Sequence, residues 1–369
     1  SITGNVMIDA RALGESGNVV LEDERHLDAF RAWAAAAKSG GARVWMQLNH
    51  PGRQSPRNLS AAPVAPSAVR MKGTGPMFAT PRALEGAEIR EIIARFARSA
   101  VLAESAGFDG VQIHGAHGYL VSQFLSPHTN RRDDEWGGDA ARRRRFLIEI
   151  VRAVRAAVKP GFAVGLKLNS ADFQRGGFDR DESMAVLEAL DAEQIDLLEI
   201  SGGTYESAAM FEETKAVHES SRKREAFFLE YAELARKRVR MPLMLTGGFR
   251  TREGMDAALS SGAVDVIGLA RPLAIEPDLP ALLSRGEREH ARPVRLATGI
   301  KTLDAVIQGG WYQAQIDRIA RGGEPDLGAW RVGAVLGYFL PRRVPRADRA
   351  LPATTVAMRA DAGAGATGG

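Results

Sequence analysis

Seven times along this 369-residue chain a short run rich in Val, Ile and Leu gives way to a longer stretch with apolar residues at helical spacing. The short runs are Ile2–Ile8, Arg43–Leu48, Gly110–Ile113, Ala163–Leu168, Asp196–Ser201, Pro242–Thr246 and Val264–Leu269. The helical stretches lie near Asp23–Ser39, Gly86–Ala106, Asp139–Val158, Asp181–Gln194, Glu225–Arg240, Arg252–Ser261 and Leu273–Leu283. Strands that are apolar nearly throughout must be covered on both faces, so the alternation predicts an α/β fold with a parallel sheet under helices. Seven such units in about 285 residues fit a (β/α)8 TIM barrel without its first strand–helix unit better than an open doubly wound sheet. The expected organisation is a barrel over 1–296 and a helical extension over 297–340 with patterns at Ile300–Ile307 and Trp311–Arg321. A Pro/Arg-rich, then Ala/Gly-rich tail over 341–369 is expected to be disordered.

A barrel of this size needs a large apolar core, and 45% hydrophobic with 25% charged residues supplies one. The chain has no cysteine, which excludes disulfides, thiolate metal sites and cysteine-ligated iron–sulfur clusters. A net charge of +4 without a basic, aromatic-studded motif argues against nucleic acid as a partner. No apolar run reaches the ~18 residues of a membrane span. No signal-peptide pattern opens the chain, so the expected location is the cytoplasm. Ser1 already lies inside an apolar segment, from which an upstream natural start is expected.

In such barrels functional groups gather at the carboxyl ends of the strands. There, directly after the third short run, stands His114-Gly-Ala-His117-Gly-Tyr119-Leu120. Two imidazoles and a phenol at one strand end can hold a carbonyl oxygen and hand a proton to a neighbouring carbon. A His-x-x-His pair can also chelate a metal, but no third ligand with convincing spacing accompanies it, and no metal site is expected. Gln47 closes the second run; its amide suits the edge of a planar heterocycle, though a plain surface glutamine would look the same. Lys167 lies among apolar strand residues, a costly place for a cation unless it faces the mouth and meets an anion. Thr246-Gly247-Gly248-Phe249-Arg250 and Gly268-Leu269-Ala270-Arg271-Pro272 follow the last two strands and lead into helices. Small residues at helix starts let backbone N–H groups cradle a phosphate.

The segments Gln47-Leu48-Asn49-His50-Pro51-Gly52-Arg53, His114 to Leu120, and Gln123-Phe124-Leu125-Ser126-Pro127 together resemble the old yellow enzyme family of NAD(P)H:flavin oxidoreductases. So do Asn130 to Gly138 and Arg143-Arg144-Arg145-Phe146. The likeness runs from about Thr3 to Pro277 and weakly on to about Arg321. It implies an FMN-containing barrel that uses NAD(P)H to reduce the carbon–carbon double bond of α,β-unsaturated carbonyl compounds. By that resemblance His114 and His117 would hold the substrate's carbonyl oxygen. Tyr119 would give the proton to Cα after hydride from flavin N5 reaches Cβ. Gln47 would contact the pyrimidine edge, Lys167 would stand beside N1, and Gly248, Ala270 and Arg271 would hold the phosphate. The resemblance also implies the short, flavin-only form of the family and, as in many members, a homo-oligomer. The family's first strand–helix unit has no counterpart here, which predicts an open sheet edge. Two further readings stay open: a homologue that has lost flavin and serves as a scaffold, and a flavin-free barrel enzyme acting on a phosphorylated metabolite.

Overall fold

The computed structural model describes residues 1–172, 176–201, 229–294, 296 and 301–329. Its elements run β1 (Ile2–Met7), β2 (Val19–Val20), α1 (Leu27–Lys38), β3 (Trp45–Asn49), β4 (Val64–Ala65), β5 (Arg82–Ala83), α2 (Gly86–Ser105) and β6 (Gly110–Gly115). They continue with α3 (Leu120–Leu125), α4 (Ala140–Ala157), β7 (Ala163–Asn169), α5 (Arg180–Ala192), β8 (Leu197–Ser201) and α6, described over 229–236. The last are β9 (Leu243–Thr246), α7 (Arg252–Ser260), β10 (Val266–Gly268), α8 (Leu279–Ser284) and α9 (Lys301–Ala320).

Eight strands form one sheet in the order β10-β9-β8-β7-β6-β3-β1-β2, every pair parallel. Each long strand is joined to its neighbour through a helix, the arrangement of a (β/α)8 barrel. Among the described residues the end strands β10 and β2 do not pair with each other.

The strands are not apolar throughout, as the sequence suggested, but alternate. Val6, Met46, Leu48, Val111, Ile113, Val164, Leu166, Leu198, Ile200, Leu243 and Leu245 are all buried and belong to one cluster with Ile89, Phe96, Phe146, Val151 and Leu187 of the helices. The intervening positions, which the pleat turns to the opposite face, carry Asn5, Gln47, Asn49, Gln112, His114, Lys167, Asn169, Glu199, Ser201 and Thr246. The apolar core therefore lies between sheet and helices, and the inner face of the sheet is largely polar, with Met7, Trp45, Leu197 and Met244 at the same alternation.

Helix starts follow their local chemistry. Asp139, Asp179 and Thr251 each accept a hydrogen bond from a first-turn N–H, and Glu85 with Glu88 forms a capping box on α2. The single helix expected over Leu273–Leu283 is instead a 3-10 turn, Arg271–Ala274, and the separate α8. Pro277 lies between them and cannot continue an α-helix. Conversely, the two patterns expected after residue 300 form one helix, α9. Its Gly309-Gly310 pair disfavours a helix by roughly 0.5–1 kcal/mol per residue, but the next residue, Trp311, is fully buried with Ile275, Leu296 and Ile307. The short strands β2, β4 and β5 and the helix α3 were not anticipated. The start of the helix expected at Glu225–Arg240 and the tail over 341–369 fall outside the described residues. No described helix is long and apolar enough to cross a membrane.

Candidate active site

β6 ends at Gly115, and the chain turns through residues 116–119 before α3 begins. His117 takes φ +59° there, a left-handed conformation rare outside glycine. Two side chains from neighbouring segments brace it. Its N–H donates to Asn169 Oδ1 at 3.2 Å, and its carbonyl accepts from Gln54 Nε2 at 2.8 Å. Strain held by surrounding structure concentrates at functional sites, and here it brings three rings together. His114 and His117 lie 5.1 Å apart between centroids at 74°, and His114 and Tyr119 4.9 Å apart at 80°. The Tyr119 hydroxyl accepts a long hydrogen bond from Asn5 Nδ2 at 3.4 Å.

Both imidazoles are neutral at pH 7. Burial, with Lys167 nearby and, for His114, His117 as well, holds their pKa values well below the ordinary histidine value. His114 Nδ1 accepts from the Ala116 N–H at 3.2 Å, so its single proton sits on Nε2 and is available to a ligand. His117 Nε2 shares a 3.0 Å hydrogen bond with the Ser201 hydroxyl, which ends β8.

Beneath the rings runs a line of buried polar side chains. Gln47 Nε2 donates to Gln112 Oε1 at 2.7 Å, Gln112 Nε2 donates to Glu199 Oε2 at 2.8 Å, and Lys167 Nζ pairs with Glu199 Oε1 at 2.8 Å. Lys167 lies opposite His114 in register. The anion expected for Lys167 is thus supplied by the next strand. Gln47 does not close its strand: β3 runs two residues further, and the amide sits on the inner face beside Gln112. Asn5, Gln112, Asn169, Glu199 and Ser201 were missed in the sequence. Their common signal is a polar residue at alternate positions of an otherwise apolar strand.

The glycine loops lie on the same carboxyl rim. Gly247 and Gly248 take φ values of +135° and +83°. A Cβ on Gly268 would fall 1.8 Å from Thr246 Oγ1, so the ends of β9 and β10 abut only because that residue has no side chain. This sets the loop carrying Gly248 beside the one carrying Ala270 and Arg271. The first loop leads into α7, whereas the second enters only a 3-10 turn. Among the described residues no cluster of three or more His, Cys, Asp or Glu side chains is arranged to hold a metal ion.

The rim presents buried polar atoms that have no protein partner: Oδ1 of Asn5, both amide atoms of Asn49, Asn169 Nδ2, Ser170 Oγ and Thr246 Oγ1. Asn49, Asn169 and Thr246 are the last residues of β3, β7 and β9. Leaving such atoms unpaired costs roughly 1–3 kcal/mol each, so the rim is built for a ligand rich in donors and acceptors. With Gln47 and Lys167 on the inner face and two glycine loops at one side, the donor set suits a planar heterocycle bearing a phosphate, as in FMN.

Fold and rim together define a (β/α) barrel with a cofactor-type polar mouth. The chain belongs to the NADH:flavin oxidoreductase / NADH oxidase family, whose model matches residues 1–289. FMN is the cofactor of this family and NAD(P)H its reductant. Two fungal relatives are each 41% identical to it. One is the NADH-dependent flavin oxidoreductase nadA of Aspergillus parasiticus, over 294 residues covering 78% of this chain and 65% of that protein. The other is the NADH-dependent flavin oxidoreductase iliE of a Neonectria species, over 307 residues covering 76% and 39%. The chain thus spans less than two thirds of the length of either. The old yellow enzyme homologue of Zymomonas mobilis matches in structure with a TM-score of 0.64 and 27% identity, covering 79% of this chain and 81% of that one.

Proposed function

We propose that this protein is an FMN-dependent ene-reductase that uses NAD(P)H to saturate the carbon–carbon double bond of α,β-unsaturated carbonyl compounds. One observation carries the reading: a buried and a half-buried histidine, both neutral, and a tyrosine converge at the end of β6, on the rim where partnerless polar atoms collect. Gln47 and Lys167 would hold the pyrimidine side of FMN, and Gly248, Ala270 and Arg271 its phosphate. When bound, FMN carries reducing equivalents from NAD(P)H to the substrate.

The remaining work belongs to side chains. His114 offers its Nε2–H to the substrate's carbonyl oxygen. His117 offers Nδ1–H when Ser201 donates to its Nε2, so Ser201 selects the useful tautomer. Neutral donors stabilise the negative charge that grows on that oxygen without surrendering a proton to it. The proton goes instead to Cα, from the Tyr119 hydroxyl. The anchoring of His117 by Asn169 and Gln54 keeps the two donors at a fixed separation.

The test is direct. The purified chain should take up FMN and show flavin absorbance, NAD(P)H should bleach it, and a cyclohexenone-type enone should restore it. A chain that binds FMN and is bleached but is not reoxidised by enones would refute the substrate class. A chain that takes up no FMN would refute the whole reading.

A further inference from the structure

Glu199 is a buried carboxylate that no step of the proposed reaction uses. It sits in the middle of β8, 4% exposed, and has two polar partners, Lys167 and Gln112. Through Gln112 it reaches Gln47, so one hydrogen-bonded line runs Lys167–Glu199–Gln112–Gln47 across four strands. The two ends of that line are the two side chains assigned to the flavin's pyrimidine ring.

The chemistry of the line has a direction. An ionised carboxylate only accepts hydrogen bonds. Gln112 must therefore turn its NH2 toward Glu199 and its oxygen toward Gln47. Gln47 must in turn spend an N–H on Gln112, which leaves its Oε1 as an acceptor. That oxygen takes no hydrogen bond among the described residues, and it matches the imide N–H of a flavin pyrimidine. Glu199 thus polarises both amides from a distance. It also offsets the charge of Lys167 in a place where a lone buried cation is costly. Reducing a flavin puts negative charge on its pyrimidine side, so the net charge of the Lys167–Glu199 pair bears on the oxidised–reduced balance.

We propose that Glu199 is a positioning residue of the cofactor site, acting through Lys167 and through Gln112 and Gln47 to hold down the redox potential of bound FMN and to orient the pyrimidine-edge amide. This rests on the flavin reading above. The experiment loads the full chain with FMN and measures the midpoint potential and the affinity for oxidised FMN in the unsubstituted protein, in Glu199→Gln and in Lys167→Met/Glu199→Gln.

In Glu199→Gln the lysine charge is uncompensated. The reduced form should gain about tenfold over the oxidised form, a shift of about 30 mV to more positive potential for a two-electron couple. Affinity for oxidised FMN should fall at the same time as the Gln47 amide loses its fixed orientation. In the double variant the potential should return to the unsubstituted value or below. A Glu199→Gln protein that is merely less stable, with unchanged potential, overturns the proposal. If that variant does not fold, the double variant decides alone, since buried pairs replaced together are commonly tolerated; a potential above the unsubstituted value overturns the proposal. Failure of the unsubstituted chain to bind FMN overturns the flavin reading and this one with it, and is seen before any variant is made.

Discussion

In the proposed reaction Tyr119 and the two histidines divide their labour by protonation state. Histidines held neutral can offer an N–H to the oxygen but are weak acids toward carbon, which in that reading leaves the phenol as the acid. Tyr119→Phe should slow enone-dependent reoxidation by ~10²–10⁴-fold and leave bleaching by NAD(P)H unchanged; rapid-mixing absorbance separates the two. His114→Leu should weaken binding of enones and of phenols that mimic the charged oxygen, because the Nε2–H is lost. The grouping of these rings at one strand end was legible in the sequence, because it depends on spacing within six residues. Glu199 was not. In sequence it is one acid in a chain with 45 Asp and Glu residues, and its meaning comes from Lys167 on one adjacent strand and Gln112 two strands away.

Among the elements, α4 is tied to α3 and α5 through one arginine. Arg143 is buried beneath α3; it donates to the carbonyls of Leu125 at 3.0 Å and Gly138 at 2.7 Å and pairs with Glu182 of α5. Arg143→Leu leaves Glu182 and two carbonyls unsatisfied and should cost about 3–5 kcal/mol, read as a lower urea midpoint. Asp139→Ala removes the cap of the same helix, whose carboxylate accepts from the Arg142 N–H at 2.8 Å, together with an exposed ion pair to the Arg142 side chain, and should cost about 1 kcal/mol. Element types were readable because strand and helix periods are local properties. Boundaries moved by one to four residues where capping or strand pairing decided them, as at Leu27, where α1 starts four residues after its expected beginning. The 3-10 turn and α8 replaced one expected helix because helical spacing continues across Pro277 although the backbone cannot.

At the scale of the whole molecule, three neutral histidines among the described residues link stability to pH. His50 is pushed down to about 4 by burial, and His114 and His117 also lie well below 6.5. Each binds a proton more readily in the unfolded chain, so the folded state is favoured fully above pH 6.5 and progressively less as pH falls below it. For His50 the loss is complete near its folded value and amounts to about 3 kcal/mol. Urea midpoints should therefore hold steady from pH 8 to 7 and fall from about 6.5 toward 4. Replacing His50 with Gln should flatten part of that slope, while an unchanged slope would show that His50 does not titrate on unfolding.

The sequence alone determined the alternation of strand and helix, the parallel sheet that follows from it, and the cluster His114, His117 and Tyr119. All of these depend on neighbours a few residues apart. Only the tertiary structure decided that the inner face of the sheet is largely polar, that Gln47, Gln112, Glu199 and Lys167 form one line, and that His117 is held in a left-handed turn by Asn169 and Gln54. The physical reason is distance along the chain. Gln47 and Gln112 are 65 residues apart and Gln112 and Glu199 87, and no local pattern specifies a hydrogen bond whose partner arrives only when parallel strands assemble in register.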